Sequence, residues 1–104
     1  MKRVAFKMKL KPGFKQEYIR RHNAIWPAIE ILIKSSGISD YSIFLDEETN
    51  TLFGVQKMNG DVSSQALGTE EIQRKWWDYM SDIMEVNPDN SPISVPIEEV
   101  FHLN

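Results

Sequence analysis

His22 and His102 are the two histidines of the chain, and only an imidazole, with an unperturbed pKa of ~6.5, both gives and takes a proton near neutrality. His22 follows Tyr18 by four residues, so both side chains project from one side of a helix. Immediately beyond it, the Asn23–Pro27 interruption leaves backbone groups unpaired and opens a concavity that a ligand can fill. His22 is therefore the first candidate acid/base group, although its spacing also fits a partly buried histidine without a chemical role. His102 lies near the C-terminus on a strand face opposite Phe101 and reads as structural or exposed. With the histidines far apart and no His-x-x-x-His spacing, we expect no metal site.

The adjacent indoles of Trp76 and Trp77 are the second feature. Neighbouring helical residues project about 100° apart, so we expect only one of them to fill a narrow core stripe and the other to face something else. An indole face stacks on the C–H surface of a sugar ring while its N–H donates to a hydroxyl; bulky packing at a dimer seam is the alternative. Tyr41 shares a strand face with Ile43 and Leu45, which puts a phenol at the rim of the core with its hydroxyl seeking a partner. Glu99, between Ile97 and Phe101, reads as a sheet-edge charge, or as a carboxyl driven toward its neutral form by burial. Arg20-Arg21 reads as a solvated or ion-paired face in preference to an anion clamp.

These residues need elements to carry them. Val4, Phe6, Met8 and Leu10 alternate with Ala5, Lys7 and Lys9, a strand with one face buried, and Pro12-Gly13 ends it. Phe14, Tyr18, His22, Ile25, Ile29 and Leu32 then recur at helical spacing. Pro27 removes an amide donor and clashes with the preceding turn, so a kink or two abutting helices are expected near Asn23–Pro27. Gly37 suits the left-handed position after a helix end. Tyr41 to Leu45 and Leu52 to Met58 read as two strands joined by the hairpin loop Asp46–Asn50. Asp61–Gly68 reads as a weak helix. Thr69 with Glu70 and Glu71 reads as the start of a stronger one, with Ile72, Trp76, Tyr79, Met80 and Ile83 on one stripe. Asn87–Pro92 is a defined loop, and a last strand puts Ile97, Phe101 and Leu103 on one face.

The order β-α-β-β-α-β is the ferredoxin-like α+β arrangement: one antiparallel sheet with helices packed on one side. Phe6, Met8 and Phe101 exceed what one helix layer covers, so a homodimer with two sheets face to face is expected.

At 104 residues the chain fits one domain spanning 1–104. It has no cysteine, which removes disulfides, thiolate zinc sites and thiol nucleophiles. Lys7, Lys9 and Lys11 interrupt the apolar N-terminal run, so neither a signal-peptide core nor a membrane span is expected, and the protein reads as cytoplasmic. The net charge of −3 is unevenly spread, with eight of twelve Lys/Arg but one of fifteen acids within residues 1–21. Those bases alternate along a strand and scatter along a helix without a Gly-rich or aromatic-studded motif, so nucleic-acid binding is not expected.

The segments Tyr18-Ile19-Arg20-Arg21-His22-Asn23, Ile25-Trp26-Pro27, Trp76-Trp77-Asp78-Tyr79-Met80 and Asn87-Pro88-Asp89-Asn90-Ser91-Pro92 resemble, in order and spacing, the signature segments of the L-rhamnose mutarotase family. The resemblance runs over essentially the whole chain. It implies a dimeric α+β barrel that interconverts the α and β anomers of L-rhamnose without a cofactor. It also implies His22 as proton donor and Tyr18, Tyr41, Trp76 and Trp77 as sugar contacts. The departures lie around Asp61–Gly68 and in Gly54-Val55-Gln56-Lys57, which would bear on sugar preference if that region reaches the pocket.

Mutarotation needs a proton delivered to the ring oxygen while another leaves the anomeric hydroxyl. One placed acid/base contributes ~10²–10⁴-fold, and the expected assignment is His22 on the ring oxygen with Tyr18 or a bound water on the anomeric proton. Two other readings share the same fold: a dimeric-barrel oxygenase, by fold analogy only, and a non-catalytic module that senses a small ligand.

Overall fold

In the computed structural model, which describes residues 2–104, β1 (Lys2–Lys9) is a central strand that pairs antiparallel on both sides. It is followed by α1 (Lys15–Asn23), α2 (Pro27–Ser35), β2 (Ile38–Asp46), β3 (Thr51–Met58), the 3₁₀ turn Ser64–Ala66, α3 (Glu71–Met80) and β4 (Val95–Ile97). The sheet order β2-β3-β1-β4, antiparallel throughout, is that of the ferredoxin-like fold with its first helix split in two.

The split follows from Pro27. Trp26, placed before a proline, is held extended (φ −61°, ψ 130°), and Pro27 takes the first helical position, where its missing N–H is no loss. The carbonyl of His22 accepts the N–H of Ile25 at 3.2 Å, closing α1 over the break. α2 ends at Ser35, and Gly37, just beyond the C-cap Ser36, takes φ +86°, as its sequence position implied.

One sheet face carries Phe6, Met8, Leu52, Gln56 and Met58, all buried against the helices. Phe6 lies flat across Gly54, its register partner: a Cβ there would sit 2.5 Å from the ring, so only glycine lets the two strands close. A bulge between Ser39 and Ser42, with Asp40 at φ +49°, turns β2 so that Tyr41 joins this covered face. Its ring meets Phe6 edge-on at 6.2 Å.

Several expectations need correction. Asp61–Gly68 is not a helix beyond the single turn Ser64–Ala66, because the Ser64 backbone N–H and hydroxyl are both engaged by Gln56. Glu70, not Thr69, stands at the N-cap of α3, with no side-chain cap bond. The buried stripe of α3 is Gln73, Trp76, Trp77 and Met80, shifted from the one centred on Ile72 and Tyr79. Ile83 is fully buried but lies beyond the helix end. The last strand spans only Val95–Ile97, where Pro96 sits on an edge strand that tolerates it. Phe101 and Leu103 are exposed beyond it, and Glu99 is a half-exposed charge 3.9 Å from His102.

The open sheet face is therefore not lined by Phe6 and Met8, whereas Phe101, beyond β4, borders it beside Ala5, Val55 and Ile97. Register puts Phe44, Phe53, Val55, Val95 and Ile97 there, with Ala5 and Lys7. No helix among the described residues is long and apolar enough to cross a membrane.

Candidate active site

The cavity between the helices and the covered sheet face has a volume of about 370 Å³ and brings His22, Tyr18, Tyr41, Trp76 and Trp77 together in its wall. Three elements supply them: α1 gives Tyr18 and His22, the bulged start of β2 gives Tyr41, and α3 gives both indoles. Trp76 and Trp77 are both buried, which corrects the expectation that only one of them would fill the buried stripe. Positions 73, 76, 77 and 80 form a normal i, i+3, i+4, i+7 stripe wide enough for two adjacent rings.

His22 stacks on Tyr18 at 4.1 Å and meets Trp76 edge-on at 5.6 Å. Its Nδ1 lies 3.1 Å from the Tyr18 carbonyl oxygen. A carbonyl only accepts, so Nδ1 carries the hydrogen and the Nε2 lone pair is left free; no group among the described residues bonds it. Burial pushes the imidazole below its ordinary pKa, with the Tyr18 carbonyl opposing the shift. At neutral pH His22 is a neutral imidazole with a basic Nε2.

Both phenols are pushed the other way. Burial raises Tyr18, with Tyr41 adding to the shift, and burial raises Tyr41 against a hydrogen bond from Ser64. Each stays protonated and acts as a hydrogen-bond donor. The Ser64 hydroxyl accepts from the Gln56 amide at 2.9 Å and lies 3.4 Å from the Tyr41 oxygen, to which it donates, leaving the Tyr41 proton free for a ligand. Gln56 thus reaches the cavity wall through Ser64.

Around these groups the wall is apolar, with Met8, Ile29, Ile43 and Met80 among its members. Polar side chains from Asn23, Gln65 and Gln73 complete it, and Pro92 brings the Asn87–Pro92 loop to its edge. That loop is tied to α3 by Asn90 Nδ2 donating to Asp78 at 3.1 Å.

Arg20 and Arg21 form an ion-paired face outside the cavity wall. Buried Arg21 donates to Glu17 at 2.7 Å, Asp82 at 2.9 Å and the Tyr79 carbonyl at 2.7 Å, and lies over the Tyr79 ring. The clamp fastens α1 to the end of α3, so the imidazole and the indoles keep their mutual distance. Hydrogen bonds from Arg20 and Arg21 hold the Glu17 carboxyl down at about 2.

Sequence reasoning left Trp26 without a role. Its indole stacks on Tyr79 at 5.4 Å and meets Trp76 edge-on at 5.0 Å, backing the ring that faces the cavity. Its place before Pro27 was the available signal. Ser64 lies in a weakly patterned segment that offered none. Glu99 and His102 lie away from the cavity beside Arg3, and among the described residues no cluster of three His, Cys, Asp or Glu is placed to hold a metal.

A relative from Bacteroides thetaiotaomicron described as L-rhamnose mutarotase is 62% identical over 104 residues, covering 100% of both chains. Another so described, from Formosa agariphila, is 59% identical over 99% of each chain. The crystal structure of an L-rhamnose mutarotase from Formosa agariphila superposes with a TM-score of 0.93 at 57% identity, covering 100% of both chains. The sequence profile of the L-rhamnose mutarotase family matches residues 3–103, and the chain belongs to that family.

Proposed function

We propose that this protein, as one domain over residues 1–104, interconverts the α and β anomers of L-rhamnose by opening and closing the sugar ring, with His22 as its acid/base group. The observation that carries this reading is the convergence of a free, neutral Nε2 with two protonated phenols and two indoles on one cavity. Its volume of about 370 Å³ falls at the small end of the ~300–1,000 Å³ range of small-molecule sites, as a monosaccharide requires.

A neutral His22 has no proton to give at first, so the one it delivers to the ring oxygen comes from the sugar or from a bound water. Nε2 takes the anomeric hydroxyl proton as the O–H electrons form the new carbonyl. The bond from the anomeric carbon to the ring oxygen breaks, and that oxygen receives the proton from the imidazolium. The aldehyde turns, and reclosure reverses both transfers. Tyr18, raised by burial, serves better as a donor to a sugar oxygen than as the base. Tyr41 donates its free proton in the same way, and the indoles of Trp76 and Trp77 pack on the ring's C–H faces.

The open sheet face supports a homodimer. Phe44 and Val95 are well exposed there and share the uncovered face with Phe53, Val55, Ala5 and Ile97, an apolar surface that surrounds the single charge of Lys7 between Phe53 and Val95. A second copy applying the same face closes a two-sheet barrel. We place this activity in the cytoplasm, with a free monosaccharide as partner.

The test is anomer exchange of free sugars by saturation-transfer NMR with the wild-type protein. L-rhamnose exchange should accelerate well beyond the buffer rate. Sugar binding without acceleration supports the sensing reading instead, and neither binding nor acceleration for L-rhamnose removes the assignment.

A further inference from the structure

Gln73 is 5% exposed in the cavity wall, three residues before Trp76 and four before Trp77, on the face of α3 that aims both indoles inward. Its Oε1 is the one buried side-chain nitrogen or oxygen without a hydrogen-bond partner among the described residues. Gln56, the other fully enclosed amide, shows the contrast: its nitrogen donates to the Ser64 hydroxyl and its oxygen accepts the Ser64 N–H, both at 2.9 Å. Folded proteins leave few such groups unpaired, because an acceptor stripped of water and given nothing in return disfavours the folded state. A methionine would fill the same space without that penalty, so the amide calls for a partner that arrives from outside.

We propose that Gln73 is a sugar-binding residue whose amide takes a hydroxyl of the monosaccharide filling the cavity and thereby helps decide which sugars are accepted. The proposal rests on the mutarotase reading above. The last torsion of a glutamine is broad, and a half-turn exchanges its two ends. The side chain therefore offers either a carbonyl oxygen to a hydroxyl proton or an NH₂ to a hydroxyl oxygen. Trp76 and Trp77 cover the apolar faces of a ring and leave its edge hydroxyls to the polar wall, where the Tyr41 oxygen already accepts from Ser64 and His22 Nδ1 is held by Tyr18. Gln73 is uncommitted. A site that hydrogen-bonds a hydroxyl rejects analogues lacking it far more strongly than an apolar pocket does.

The test compares wild type with Gln73→Met, which keeps the volume and deletes both polar atoms, using anomer exchange on L-rhamnose and on sugars that each lack one hydroxyl. We expect KM for L-rhamnose to rise about tenfold, the worth of one hydrogen bond to the sugar, with the loss in KM more than in kcat. For the analogue lacking the contacted hydroxyl, wild type and variant should converge. Without sugar, the variant should melt at the wild-type temperature or above, since an unpaired acceptor has gone.

An unchanged KM across all sugars that the wild type accepts overturns the proposal. So does a lower melting temperature with unchanged KM, which would mean that the amide is paired inside the fold. A wild-type protein without anomer exchange overturns the function and this proposal with it, whereas an active wild type with an unaffected variant overturns this proposal alone. A readout that needs no variant is the Gln73 side-chain amide signal in a ¹⁵N spectrum. It should move on adding L-rhamnose, and a stationary signal at saturating sugar counts against the assignment.

Discussion

Replacing His22 by alanine removes the only imidazole in the cavity wall while leaving the elements around it in place. The ring contributes a stack on Tyr18, an edge contact on Trp76 and one hydrogen bond to the Tyr18 carbonyl. Together these amount to about 1–3 kcal/mol of folding free energy, against a total of ~5–15 kcal/mol for a small domain. The variant should therefore stay folded. The chemical loss is larger: one acid/base group is worth ~10²–10⁴-fold, or about 3–5 kcal/mol of barrier. Saturation-transfer NMR on L-rhamnose reads that loss directly. The pH dependence gives a second, independent reading. Burial lowers the imidazole's pKa, and the neutral form is the one with a free Nε2, so wild-type kcat/KM should hold level from neutrality down through 6.5 and fall only once the lowered folded-state value is reached. The stability linkage has the same sign. His22 contributes stability that is fully present above its ordinary pKa and is lost as pH falls toward the depressed folded value, so the alanine variant should lack that part of the wild-type stability slope. A folded His22→Ala protein with wild-type exchange, or a wild-type rate that climbs on acidification through pH 6.5, would refute the reasoning.

Three further substitutions probe other parts of the molecule. Arg21→Met should cost about 2 kcal/mol in urea unfolding, since it removes charged hydrogen bonds from a buried guanidinium while Asp82 and Glu17 keep partial solvation; a change below about 0.5 kcal/mol would show that the α1–α3 clamp is not needed. The same variant should flatten only part of the acid limb of wild-type stability between the usual carboxylate range and pH 2, because Arg20, the larger cause of Glu17's lowered pKa, still holds that carboxyl down once Arg21 is gone. Gly54→Ala should destabilise by about 1–3 kcal/mol and raise KM, because the new methyl meets the Phe6 ring that packs against Tyr41; a variant as stable as wild type would mean that the strands have room to separate. Phe44→Glu should turn a dimer into a monomer by light scattering, and a wild-type protein that is monomeric at micromolar concentration removes the barrel proposal.

Much of the framework was legible from short-range physics. The alternation of Val4 to Leu10 located β1, Pro27 located the break between α1 and α2, and Gly37 located the helix end, because each of these is decided by a residue and its immediate neighbours. His22 and Tyr18 could be placed side by side for the same reason. The chemical type of the five candidate residues, with the family segments that hold four of them, pointed to a sugar site from the sequence alone.

Tertiary structure decided which of those residues meet, and in what state. Tyr41 comes from a strand bulge and the indoles from a helix more than thirty residues later, and nothing local says that both line one wall. The width of α3's buried stripe depends on what packs against it, so Trp77 turned inward along with Trp76 and the orphaned Gln73. The tautomer of His22 was set by the turn of α1 beneath it, and the lowered pKa by the aromatic rings around it. Ser64 became a partner of Tyr41 only because Gln56, on β3 next to the strand of Tyr41, captured its backbone and hydroxyl together. Dihedral preferences and periodicity act over a few residues. Desolvation and hydrogen-bond satisfaction act between whatever the fold brings within a few ångströms, which is why the site's electrostatics could be read only from the assembled molecule.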